Sequence, residues 1–185
     1  MSLLHFFPVP FLIGLAVLAG FWIHWFRRGR PPVYRLALPL FGLYLLLLID
    51  AVVFPIPLHP GPGPVLTGQN ISFTLSRVNL IHLDFGNPIS QSYLFTQLVQ
   101  NILLTVPFGF GINFLARLRA RDFLWLAAAT GCAAEASQLL VSIFIVGGLY
   151  RSVDINDVLL NAGGVLLGYG LFRIMVGWIH PRSGT

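Results

Sequence analysis

The sequence predicts an all-α integral membrane protein, a bundle of about five transmembrane helices. Of its 185 residues, 56% are hydrophobic and only 9% are charged, whereas soluble domains carry about 25% charged residues. The apolar residues form five long segments, and most of the charged residues lie between them. A soluble chain of this size lacks the charge to cover its surface, so we expect the apolar segments to lie in a bilayer.

Each of the five segments is long enough to cross a hydrocarbon core of about 30 Å at about 1.5 Å per residue. The predicted helices cover approximately residues 3–26, 36–54, 93–116, 123–146 and 157–179, in one membrane domain over residues 1–185. A long loop, residues 55–92, separates the second helix from the third. We expect the first segment to be retained rather than cleaved as a signal peptide, because its basic cluster follows it instead of preceding it.

The placement of arginine predicts the orientation. The basic residues are eleven arginines, and nine of them lie in the loops after the first and third helices or near the C-terminus. Only Arg77 and Arg151 lie on the opposite side of the predicted bilayer. Because basic loops stay in the cytoplasm, we expect the N-terminus and the 55–92 loop outside and the C-terminus in the cytoplasm.

The sequence disfavours two kinds of ligand, namely nucleic acids and metals or other cofactors. The net charge of +5 comes from short arginine clusters between apolar segments, not from a basic surface stripe, so we expect no nucleic-acid partner. The single cysteine, Cys132, lies in an apolar segment and is expected to pack as a small apolar side chain. No histidine pair has metal-ligand spacing on a helix, so we expect neither a metal nor another cofactor.

Polar side chains within the predicted helices mark a candidate site. A charged residue at the bilayer centre costs at least about 2.5 kcal/mol, so such residues face the protein interior and often carry function. Glu135 lies near the middle of the fourth helix, and Gln138 follows one turn further out on the same face. The other candidates lie in the outer half of the third and fifth helices and in the loop before the fifth: Asn101, Arg151, Asp154, Asp157 and Asn161.

We expect these residues to form a buried polar pocket that opens to the outer face, with Glu135 and Arg151 acting as one unit. The alternative is that the polar side chains only hydrogen-bond the helices together, and for Asn101 and Asn161 both interpretations stay open. On the fifth helix, Gly164 continues the face of Asp157 and Asn161. Small residues at such spacing let helices approach closely, so Gly164 is predicted to pack against a neighbouring helix.

Three stretches, taken in order, carry a family resemblance. They are Arg77-Val-Asn-Leu-Ile81 with Asn101-Ile-Leu-Leu-Thr-Val-Pro-Phe-Gly109, then Glu135-Ala-Ser-Gln138, then Arg151-Ser-Val-Asp154-Ile-Asn-Asp157 running through Asn161 to Gly168-Tyr169. Over about residues 40–172 the chain resembles the VanZ-like family of bacterial membrane proteins. The resemblance implies a multi-pass protein of the bacterial cytoplasmic (inner) membrane. It also implies a link to resistance against the glycopeptide antibiotic teicoplanin, with which the founding member is associated, but it names no reaction.

Two classes of function remain. In the first, the pocket binds the polar headgroup of a membrane lipid or of a lipid-linked cell-wall precursor, or reduces the action of a glycopeptide antibiotic. Arg151 would then pair with phosphate or carboxylate. In the second, an intramembrane enzyme acts on a lipid-linked envelope substrate, with Glu135 as general acid or base and with Asp154 and Asp157 able to hold a divalent cation. Binding is favoured, because the chain contains no G-x-S-x-G, H-E-x-x-H or P-loop signature and no lysine.

The orientation can be checked with single cysteines. Ser2→Cys and Ser72→Cys should react with a membrane-impermeant thiol reagent in intact cells, whereas Ser183→Cys should react only after lysis. The wild-type chain, with Cys132 alone, gives the background. Labelling of Ser183→Cys but not Ser72→Cys in intact cells would invert the topology.

Overall fold

The described residues contain five long helices, in agreement with the predicted class. A computed structural model describes residues 3–29, 31–58, 88–116, 118–146 and 155–179, except for the side chains of residues 88–94 and 97. The helices are α1 (Val9–Arg27), α2 (Pro32–Val53), α3 (Pro88–Ala116), α4 (Ala120–Val141) and α5 (Ile155–Ile179), and two short strands are β1 (Leu3–Leu4) and β2 (Ile56–Pro57). Each helix contains a stretch long and apolar enough to cross a membrane. The prediction of an all-α, multi-pass membrane protein is confirmed.

The first helix begins later than the apolar pattern predicts. The pattern starts at Leu3, whereas α1 begins at Val9, after Pro8 at the N-cap position and with Pro10 in its first turn. Proline has no backbone N–H and clashes with a preceding helical turn, so it is favoured at the start of a helix. Leu3 and Leu4 form β1 instead, which pairs with β2 in antiparallel fashion.

Prolines also mark the starts of α2 and α3. Pro32 lies in the first turn of α2, four residues before the predicted start, and α3 begins at Pro88, inside the predicted 55–92 loop. The beginning of that loop contains β2. Residues 59–87, which include the predicted strand-like alternation at residues 71–76, lie outside the described residues.

The first of two compact units contains α1, α2, both strands and the C-terminal part of α4. Gly14 faces Leu46, and Leu18 faces Gly42. Later residues of α1 therefore meet earlier residues of α2. The two helices therefore form an antiparallel hairpin in which each glycine receives a leucine from the other helix. At the open end of the hairpin, the buried Phe6 ring lies 5.2 Å from the ring of Phe54, measured between centroids.

The second unit contains α3, the N-terminal part of α4 and α5. Asn101 contacts Asp157 and Thr105 contacts Asn161, each pair 56 residues apart. Gly109 likewise approaches Val165. A constant offset over two helical turns means that α3 and α5 run parallel and in register.

The N-terminal part of α4 runs antiparallel to α5. Gly131 approaches the backbone of Val158, and Phe123 stacks on Tyr169 with 4.4 Å between ring centroids. Phe123, Ala127 and Val165 form the buried apolar core of this unit. Polar contacts between α3 and α5 therefore lie at the start of α5, and the apolar core lies further along both helices.

Glycines set the spacing between α3 and α5. A Cβ atom added to Gly164 would collide with the Thr105 hydroxyl and with the backbone oxygen of Ile102, and one added to Gly168 would collide with the backbone of Val106. The prediction that Gly164 packs against a neighbouring helix is confirmed, and that helix is α3.

Substitution of two adjacent glycines tests this close approach. Gly164→Ala should lower the free energy of unfolding in detergent by about 1–3 kcal/mol, because the backbone of α3 must move away. At Gly163 an added Cβ meets no atom within 4 Å, so Gly163→Ala should be neutral or stabilising by up to about 1 kcal/mol through helix propensity. Equal melting temperatures for the two variants would contradict the α3–α5 packing.

Candidate functional site

The candidate site in the second unit starts from a hydrogen bond between α3 and α5. The Asn101 side-chain nitrogen donates to a carboxylate oxygen of Asp157 at 2.5 Å. Asp157 lies in the first turn of α5, where unsatisfied backbone N–H groups and the helix dipole stabilise negative charge. The carboxylate is therefore held by both the start of its own helix and an amide from the neighbouring helix.

Thr105 makes the next contact along the same two helices. Its hydroxyl donates to the backbone oxygen of Asn161 at 2.8 Å, and the side chain is 2% exposed. The hydroxyl also lies 3.2 Å from the backbone oxygen of Asn101, but it has a single hydrogen and the shorter contact joins the helices. This short bond depends on the close packing at Gly164, one turn further along α5.

Asn161 is the most deeply buried of the predicted site residues on α5, with 4% of its surface exposed. Its side-chain oxygen has no hydrogen-bond partner among the described residues. A buried polar atom left in that state costs about 1–3 kcal/mol. Asn161 therefore offers a hydrogen-bond acceptor one helical turn from the Asp157 carboxylate.

Glu135 and Gln138 belong to the first unit. The Gln138 side-chain nitrogen donates to the backbone oxygen of Val52 at 3.0 Å. Val52 lies in the last turn of α2, where carbonyl groups lack intrahelical partners, so Gln138 caps that helix end. Glu135 is 4% exposed, which makes it the most deeply buried acidic residue in the described chain.

A five-residue π-helix, Ser142–Val146, follows α4 directly. Ser142 is fully buried, and its hydroxyl donates to the backbone oxygen of Gln138 at 2.8 Å. Glu135, Gln138 and Ser142 lie three and four residues apart and so share one helix face. The polar face predicted at Glu135 and Gln138 thus extends one turn further than the sequence indicated.

The predicted site residues that the structure describes form two groups, and two further residues lie outside the described part of the chain. Asn101, Asp157 and Asn161 lie together along α3 and α5, and Glu135 and Gln138 lie on α4. Arg151 and Asp154 lie outside the described residues. Their common action in one pocket stays a prediction.

Thr105 was missed at the sequence level, although a signal was present. It follows Asn101 at the i, i+4 spacing, so both must lie on one face of α3. A threonine hydroxyl can also bond within its own helix, and a single threonine in an apolar segment therefore attracts little attention. Its place in the Asn101–Gly109 stretch, which carries the family resemblance, was the available clue.

The family of the chain follows from a comparison with family models. A model described as VanZ/LLP1 matches residues 41–176. The chain belongs to the VanZ/LLP1 family. The match extends from α2 to α5 and includes every predicted site residue, whereas α1 and the turn after it lie before the matched range. No curated protein and no solved structure matches the chain.

A double-mutant cycle measures the contact between Asn101 of α3 and Asp157 of α5 in this VanZ/LLP1 protein. Asn101→Ala and Asp157→Ala should each destabilise the purified protein, and the double variant should lose about 1 kcal/mol less than the sum, because the two side chains share one hydrogen bond. As a control, the Thr130 hydroxyl bonds within α4, to Leu126, so Thr130→Val should add to Asn101→Ala without coupling. Additivity of Asn101→Ala with Asp157→Ala would contradict the contact.

Proposed function

We propose that this VanZ/LLP1 protein binds a polar headgroup in the bacterial cytoplasmic membrane, between the middle of α3 and the start of α5. The arrangement of arginines predicts that the start of α5 lies toward the outer face. The observation that carries the proposal is Asn161, whose buried side-chain oxygen lies one turn from the Asp157 carboxylate and has no partner among the described residues.

The chemistry of these side chains indicates the class of headgroup. Asp157 and Asn161 both present oxygen acceptors, so the bound group must carry donors. Sugar or glycerol hydroxyl groups satisfy this requirement, and they occur in lipid headgroups and in lipid-linked cell-wall precursors. A residue that served only to join helices would be expected to use its own buried oxygen in a hydrogen bond, which supports binding over a purely structural role for Asn161.

The link to antibiotic action follows from the place of such a headgroup. An amphiphilic glycopeptide of the teicoplanin type acts at the membrane surface, where lipid-linked cell-wall precursors are displayed. A protein that holds these headgroups at the outer face reduces the access of the antibiotic to them. In this proposal the chain lowers glycopeptide action by binding and catalyses no reaction.

An intramembrane enzyme is a second candidate, and the burial of Glu135 favours it. A carboxyl group that is 4% exposed is shielded from bulk water, and a positioned carboxyl group is able to act as general acid or base. This candidate predicts a modified lipid as product, which the binding proposal does not.

Bacteria that express the chain provide the test. The wild-type chain should raise the minimal inhibitory concentration of teicoplanin several-fold over an empty vector, and Asn161→Leu should return it to the vector level. Asn113→Leu is the matched control, because Asn113 is buried to the same degree, at 3% exposed, and leucine has the same branching and number of non-hydrogen atoms as asparagine in both variants. The control should protect as the wild type does.

Lipids co-purified with each variant separate the possible outcomes. Wild-type protein and Asn113→Leu should retain the same headgroup class by mass spectrometry, and Asn161→Leu should lose it. Full protection and lipid retention by a normally expressed Asn161→Leu would contradict the site. Lipid retention without any protection by the wild type would contradict the antibiotic part alone, and accumulation of a modified lipid that Glu135→Gln abolishes would favour the enzyme.

A further inference from the structure

We propose that the turn between α1 and α2 binds the phosphate group of an anionic membrane lipid. This basic turn is defined by Arg27, Arg28 and Arg35, and Arg30, which lies between them in the sequence, is outside the described residues. It belongs to the first unit and precedes the range matched by the family model. The inference is therefore independent of the headgroup site on α3 and α5.

Within the α1–α2 hairpin, no acidic residue lies close in sequence to the basic turn. The first 49 residues contain four arginines and neither aspartate nor glutamate. The first acidic residue is Asp50, at the far end of α2 and about 27 Å along the helix from its start, at about 1.5 Å per residue. Arg27 and Arg28 are exposed. Local charge of this kind is stabilised by anionic headgroups at the membrane surface.

Aromatic side chains hold Arg35 in place within the basic turn. The Trp22 indole N–H donates to the backbone oxygen of Arg35 at 2.7 Å. The Arg35 guanidinium lies 4.6 Å from the centroid of the Phe26 ring, and the Trp22 and Phe26 rings are in contact. Stacking uses the face of the guanidinium, whereas phosphate binds in its plane. The two interactions are therefore compatible.

Arg27 and Arg28 lie within five residues of the start of α2. Gly29 has a φ of 66°, a left-handed conformation that ends α1 and that glycine adopts without strain. The first turn of α2 contains no acidic residue, and the partial positive charge of its N–H groups offsets the partial negative charge at the C-terminal end of α1. An anion at the turn therefore meets the net positive charge of the arginine side chains.

Apolar side chains beside the basic turn indicate a lipid rather than free phosphate. Ile23, Val33 and Leu36 are 46%, 54% and 65% exposed, and all three lie within two helical turns of the arginines. Acyl chains and a headgroup can then contact one hairpin at the same time, the chains along its apolar surface and the phosphate at its end. Tryptophan and arginine are typical of this boundary between hydrocarbon and headgroups.

Native mass spectrometry of the full-length protein tests the proposal, with phosphatidylglycerol and phosphatidylcholine as probes. Wild-type protein should retain phosphatidylglycerol in preference to phosphatidylcholine. The double variant Arg27→Gln/Arg28→Gln should weaken phosphatidylglycerol retention about tenfold or more, because each arginine near the surface contributes to the attraction. Both residues are exposed, so the fold should persist.

The control removes the same charge from another turn. Arg119 directly precedes α4, Arg121 lies in its first turn, and both are exposed. Arg119→Gln/Arg121→Gln should retain phosphatidylglycerol as the wild type does. Equal loss in both double variants would show attraction by overall charge and overturn the site, and so would no loss in either. Displacement of the lipid by millimolar glycerol 1-phosphate in wild-type protein would overturn the lipid in favour of a soluble phosphate.

Discussion

Backbone contact between α3 and α5 is the constraint on which the second unit depends. Apolar side chains contact lipid as readily as they contact each other, so helices in a membrane associate through close packing and hydrogen bonds. Glycines at positions 109, 164 and 168 let the two backbones approach each other. At that separation the short Thr105 side chain reaches the backbone oxygen of Asn161. A larger residue at any of these glycines would separate the helices and break the bond.

The parallel packing of α3 and α5 also separates their polar contacts from their aromatic contacts. Because α3 and α5 run parallel, Asn101 in the middle of α3 meets Asp157 at the start of α5, whereas Phe110 and Phe172 meet edge-on further toward the C-terminal ends of both helices. The start of α5 is therefore polar, and aromatic rings fill the interior further along. A single register thus produces both a polar end and a stable apolar core.

The sequence predicts those features of the fold that depend on local pattern. Five apolar segments predict five helices, because segment length and the absence of charge are sufficient to identify a membrane span. The i, i+4 spacing of Asp157 and Asn161 predicts one polar face, and Gly164 on that face predicts a helix contact. The predicted helix starts were less accurate. The apolar pattern runs without a break from residue 3 through Pro8, whereas α1 begins only after that proline.

The partners of the polar residues could not be predicted, because periodicity identifies the face of a helix but not what the face meets. Gln138 illustrates this limit. It was assigned to a ligand pocket from its position beside Glu135, yet its amide caps the end of α2 at Val52, a helix more than eighty residues earlier in the chain. Arg151 and Asp154 precede α5 in the sequence, and their role stays a prediction.

Burial without a partner is not sufficient to define a site, as two asparagines show. Asn113 and Asn161 are equally buried, and neither side-chain oxygen has a partner among the described residues. The difference between them lies in their surroundings. Asn161 follows Asp157 by one turn and shares its helix face, next to an amide from α3. Asn113 instead lies three residues after Phe110 and directly before Phe114, whose rings pack against Phe172. A cost of about 1–3 kcal/mol is a sizeable part of a net stability of about 5–15 kcal/mol. At Asn161 a bound hydroxyl group would offset that cost and contact the carboxylate as well. This combination is the reason we propose the start of α5, rather than the aromatic end, as the headgroup site.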